Sequence, residues 1–149
     1  MLKRRWIISK ENQTNEDVIN YLSNFIKEIK SYISLDCVIL FGSRVREDFL
    51  PHSELDLIFI GDFKEKFINR SSKIYEKHDH KLGLDAFCYT PKEFDTMFIE
   101  GIVSILDAVD EGICLLGQDF YKNYKRKIES LKKKDFEKIH QYGFYPIQC

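Results

Sequence analysis

The chain has 149 residues, 44% of them apolar and 32% charged, with 12 Phe and 8 Tyr. That suffices for one well-formed core, is too short for two ordinary domains, and is too apolar for a disordered chain. A formal net charge of -1 excludes a surface coated in basic charge for bulk nucleic-acid binding, though not a local patch. No apolar run reaches membrane-span length, so no membrane partner and a cytoplasmic location are expected.

In chain order, Val18, Leu22, Phe25, Ile26, Ile29 and Ile33 recur at helical spacing behind a Thr14/Asn15 cap, which predicts an amphipathic helix over residues 15–33. Cys37 to Phe41 is a short apolar run stopped by Gly42-Ser43, the pattern of a buried strand ending in a tight turn. A loop carrying Pro51 leads to a second strand, Leu55 to Ile60, with Asp56, Ile58 and Ile60 on one face and Leu55, Leu57 and Phe59 on the other. Phe67, Ile68, Ile74 and Tyr75 sit at helical offsets and predict a second helix over 64–79.

Gly83 to Tyr89 reads as the third strand. Thr90-Pro91-Lys92-Glu93 then predicts a capping box opening a helix that buries Phe94 and Phe98. Ile102 to Val109 reads as a short helix and Ile113 to Leu116 as a last strand. From Asp119 to about Gln141 a Lys- and Arg-rich helix carries Tyr121, Tyr124, Ile128 and Leu131 on one stripe, and Gly143 to Cys149 reads as an extended tail. The order predicts an α+β fold, a small mixed sheet flanked by helices. One domain spans residues 1–117, and 118–149 forms a basic C-terminal helix and tail rather than a separate domain.

Two segments carry chemistry. Carboxylates two apart on a strand share a face, so Glu54 and Asp56 can reach one site, and Asp85, on the otherwise apolar third strand, is a third candidate whose charge calls for a positive partner, a metal ion or a core Lys or Arg. Gly42 allows close backbone approach, Ser43 adds a hydroxyl and N–H groups for phosphate oxygens, and Arg44 adds a planar multi-donor cation. Carboxylates beside a phosphate cradle are what magnesium requires, because it keeps waters and substrate phosphates in its shell.

The run Gly42-Ser43-Arg44-Val45-Arg46, then Pro51, Ser53, Glu54, Leu55, Asp56 and Leu57, and later Asp85, resembles the signature of the minimal nucleotidyltransferases of the DNA polymerase beta superfamily. The resemblance covers about residues 15–117. It implies a magnesium-dependent transfer of a nucleoside monophosphate from an NTP, taken as ATP, to a hydroxyl on a protein or small molecule, with two magnesium ions. Gly42, Ser43 and Arg44 would then bind the nucleotide, Glu54, Asp56 and Asp85 the metals, and Asp85 the acceptor side. Small members of this group are often antitoxins paired with a HEPN-type toxin, which some of them modify by adding AMP. Two positions depart from the pattern. Glu47 stands where the group has Gly, and Glu54 stands where it has Asp, its extra methylene moving the carboxylate by roughly 1.5 Å. A catalytically degenerate nucleotide- or protein-binding module of the same fold is therefore the alternative.

Plainer readings apply elsewhere. Arg44 and Arg46 could form surface ion pairs. His78-Asp79-His80 has metal-ligand residue types but reads better as a solvated connection, and His52 as surface. Cys37, Cys88 and Cys114 lie in apolar runs and read as reduced core thiols. Eight basic and three acidic residues between Lys122 and Lys138 leave room for RNA or an acidic partner, although a solvated helix face accounts for them as well. A homo-oligomer is left open.

Overall fold

The computed structural model describes residues 15–45 and 54–142, without the side chains of residue 15 and of 135–142. The Thr14/Asn15 cap, Arg46, Glu47, Pro51, His52, Ser53, the His140 side chain and the tail Gly143 to Cys149 fall outside that description. Helix α1 spans Asn15–Lys30 and strand β1 Leu35–Phe41. Strand β2 spans Leu55–Gly61, helix α2 Ser72–Lys77 and strand β3 Leu84–Tyr89. Helices α3 (Pro91–Ile99) and α4 (Val103–Glu111), strand β4 (Ile113–Leu116) and helix α5 (Gln118–Tyr142) follow.

The four strands form one sheet in the order β3-β2-β1-β4. β1 runs antiparallel to both β2 and β4, whereas β2 and β3 are parallel, so the sheet is mixed and the α+β expectation holds. Period-two alternation sorts the side chains onto two faces. On one face Leu55, Leu57 and Phe59 of β2 pack with Val38 and Leu40 against α1 and Ile74 of α2. On the other, Ile58 and Ile60 pack with Ile39 against Phe94, Phe98, Ile105, Val109, Tyr124 and Ile128 from α3, α4 and α5.

Helix α1 buries Val18, Leu22, Phe25, Ile26 and Ile29. Glu16 and Asp17 lie in its first turn and Lys27 and Lys30 in its last, each favourable to the helix dipole. It ends before the predicted boundary, because Ser31 and Tyr32 form turn hydrogen bonds to Glu28 and Ile29 carbonyls. The capping box opens α3 as expected: Glu93 N–H donates to Thr90 Oγ1 at 3.2 Å and Thr90 N–H to Glu93 Oε1 at 2.9 Å.

The helix predicted over 64–79 is instead two pieces, a 3-10 turn at Phe67–Asn69 and the short α2. Arg70 explains the break. It is buried, and its guanidinium donates to Glu93 at 2.6 and 3.2 Å, to the Cys88 carbonyl at 3.2 Å and to the Glu65 carbonyl at 3.2 Å. Anchoring a side chain across to β3 and α3 turns the chain, so Phe67 and Ile68 face outward, 58% and 80% exposed. On α5, Tyr124 and Ile128 are buried as the stripe predicts, whereas Leu131 is exposed. Cys37 and Cys88 are buried free thiols and Cys114 a half-buried one.

His78 and His80 are not a solvated connection either. Asp79 N–H donates to the Tyr21 hydroxyl at 2.9 Å, and that hydroxyl is hydrogen-bonded to His78 Nδ1 at 2.7 Å. His78 Nε2 is the donor to the Leu82 carbonyl at 2.8 Å, because a carbonyl can only accept. His80 Nδ1 accepts from Leu82 N–H at 3.1 Å. The two histidines staple the connection leading into β3 onto α1.

Candidate active site

β1 ends with Phe41 opposite Asp56 of β2. The chain then turns through the 3-10 segment Gly42–Arg44, closed by Val45 N–H donating to the Gly42 carbonyl at 3.1 Å. Gly42 has φ 84, in the left-handed region that favours glycine, and a β-carbon there would run into the Asp56 carboxylate. Conformation and space both require glycine at this point.

Asp56 and Asp85 are direct partners in the parallel β2/β3 register, so both project from one face. Glu54, just before β2, falls on that face by the same alternation. One carboxylate oxygen from each of Glu54, Asp56 and Asp85 lies within 4.8 Å of the others. The Glu54 carboxyl titrates above its ordinary range, first because it hydrogen-bonds Asp85, then because of the Asp85 charge, with a minor contribution from desolvation. Crowded carboxylates are relieved by a cation, and an all-oxygen donor set suits a hard one. The three groups therefore fit a divalent ion such as magnesium or manganese.

Asp85 is exposed rather than buried, because β3 is the edge of the sheet, and among the described residues its neighbour is Glu54 rather than a core Lys or Arg. Gly42 and Ser43 are half-buried at the turn. Arg44 is fully buried rather than at the surface. Burial pushes its pKa below the ordinary value. Its charge therefore lies inside the fold behind the turn.

Sequence reasoning missed a pocket of about 160 Å³ beside Asp56, walled by Phe41, Ile58, Phe87, Tyr89 and Ser104. The signal was present in part: Phe87 and Tyr89 are two and four residues beyond Asp85, hence on its face. A shallower groove of about 500 Å³ shares Tyr89 with this pocket and continues over Phe67, Lys92, Thr96 and Met97. Gly83, against the Glu54 side chain, was also missed, since no local pattern announces a contact between two distant turns.

Residues 22–146 match the model of the Nucleotidyltransferase domain family, and the chain belongs to that family. No curated protein matches it. Among solved structures, a toxin–antitoxin with AMP-PNP is 15% identical, with a TM-score of 0.52 over 83% of this chain and 93% of that one. A mutant of the toxin–antitoxin MntA-HpeT is 16% identical, with a TM-score of 0.48 over 80% and 93% of the two chains. A candidate nucleotidyltransferase from Sulfolobus solfataricus is 22% identical, with a TM-score of 0.45 over 52% and 71%. With the toxin–antitoxin bound to AMP-PNP, the likeness is one of fold.

Proposed function

We propose that this chain is a magnesium-dependent nucleotidyltransferase that moves a nucleoside monophosphate from an NTP, ATP in the first instance, to a hydroxyl of a protein. The convergence of Glu54, Asp56 and Asp85 beside the Gly42-Ser43 turn carries this reading. The turn's N–H groups and the Ser43 hydroxyl hold the triphosphate, and the buried Arg44 adds positive charge behind it. Glu54, Asp56 and Asp85 hold up to two magnesium ions, which supply the Lewis-acid charge that an in-line displacement at phosphorus needs. Asp85, exposed on the edge strand, orients the acceptor hydroxyl and takes its proton. The acceptor oxygen bonds to the α-phosphorus as the bond to the β,γ-pyrophosphate breaks, and pyrophosphate leaves.

A protein acceptor is favoured by the apolar groove that opens beside the pocket at Asp56. A HEPN-type toxin is the partner we put forward, on the resemblance in sequence and on the fold shared with a toxin–antitoxin. The test is transfer of label from α-labelled NTPs, each supplied with magnesium or manganese and the cognate partner. Label on the partner that depends on metal supports the proposal; no transfer from any NTP defeats it.

A further inference from the structure

The residue that departs from the family pattern, Glu54, lies against a backbone position with no side chain. Leu55 N–H donates to the Gly83 carbonyl at 2.8 Å, locking the starts of β2 and β3 together. A β-carbon at Gly83 would lie 3.1 Å from Glu54 Cγ, 3.1 Å from Oε2 and 3.3 Å from Cδ. These are the methylene that distinguishes Glu from Asp and the carboxyl group beyond it. All three distances are tighter than ordinary van der Waals contact, so the glutamate lies along the bare backbone of Gly83.

Conformation does not explain this glycine. Among the described residues the glycines with positive φ are Gly42, Gly101 and Gly117. Space is the remaining reason. By passing over Gly83, the longer side chain brings a carboxylate oxygen within 4.8 Å of one on Asp85, two residues further on.

We propose that Gly83 is the positioning residue that lets Glu54 serve where a shorter aspartate is usual: the missing side chain at 83 and the extra methylene at 54 are a matched pair. Resting on the metal-ligand role proposed above, this makes Glu54 a fitted ligand rather than an impaired one. A misplacement of about 1 Å at a reactive centre costs on the order of a hundredfold in rate, so the match bears directly on turnover.

The experiment is a double-substitution cycle on the full chain, read as manganese affinity by electron paramagnetic resonance, with thermal unfolding of each variant as a control. Gly83→Ala weakens manganese binding by about tenfold in the presence of Glu54 and by less than about twofold in the E54D background, the coupling typical of residues in contact. Glu54→Asp alone, which leaves the backbone unchanged, withdraws the carboxylate and weakens binding by a similar factor. An equal loss from G83A in both backgrounds, or manganese binding in E54D as tight as in the native chain, overturns the pairing. Absence of manganese binding by the native chain instead removes the metal site itself, and the pairing with it.

Discussion

Gly42 sits so close over Asp56 that a β-carbon at position 42 would occupy the space of the Asp56 carboxylate. The Gly42-Ser43 turn and the central carboxylate are thus one construction, joined where Phe41 pairs with Asp56. Gly42→Ala forces an L residue into left-handed backbone, at about 1 kcal/mol, and displaces the carboxylate as well. The expected outcome is a folded protein whose nucleotide transfer falls by about a hundredfold. Circular dichroism and the transfer assay, run on the same preparation, check it.

Glu54 and Asp85 set a pH dependence. With its carboxyl held above the ordinary range by the Asp85 hydrogen bond and charge, Glu54 must lose its proton before it can ligate a cation. Manganese affinity therefore falls as pH drops into the carboxylate range. In the metal-free protein, Asp85→Asn moves the Glu54 midpoint down towards its ordinary value. Carboxyl carbon NMR across a pH titration reads the Glu54 midpoint in the native and D85N proteins.

Much of this arrangement was legible in the sequence. The alternation Leu55-Asp56-Leu57-Ile58 assigned the faces of β2, and Thr90 with Glu93 marked the start of α3. What escaped was the work of single long-range contacts. Phe67, Ile68, Ile74 and Tyr75 keep helical spacing, yet Arg70 reaches β3 and α3 and breaks the helix between them. His78 and His80 look like solvated polar residues until Tyr21, far away in sequence, is placed beside them. Asp85 looked like a buried charge because its neighbours are apolar; the edge position of β3, a property of the sheet, exposes it.

Arg70 makes a stability prediction. Arg70→Met removes charged hydrogen bonds to Glu93 and two carbonyl contacts, and lowers unfolding free energy by about 2 kcal/mol. Arg70 holds the Glu93 carboxyl below its ordinary range, ahead of smaller contributions from Thr90 and against desolvation. A lowered carboxyl pKa gives stability that is complete above the unfolded value, about 4.5, and is lost as pH falls through the lower folded one. Urea denaturation at neutral and acid pH shows the native chain losing more stability on acidification than R70M does.

The histidine staple responds at milder pH. Burial, ahead of the charges of His78, Lys81 and Arg44, pushes the His80 pKa below its ordinary 6.5. The unfolded chain therefore binds the proton first, so the stability is present above about 6.5 and declines as pH falls below it. Tyr21→Phe strips His78 Nδ1 and Asp79 N–H of their partner, at about 1 kcal/mol. Thermal melts of both proteins between pH 8 and 5, on the order of three pH units spanning the histidine range, check the two effects together.

A crystal soaked with manganese and a non-hydrolysable NTP analogue would show directly whether the three carboxylates hold the metal. Anomalous density bonded to oxygens of Glu54, Asp56 and Asp85 is expected, with the phosphates on the Gly42-Ser43 turn. Manganese bound elsewhere, or a nucleotide lying away from that turn, would contradict it.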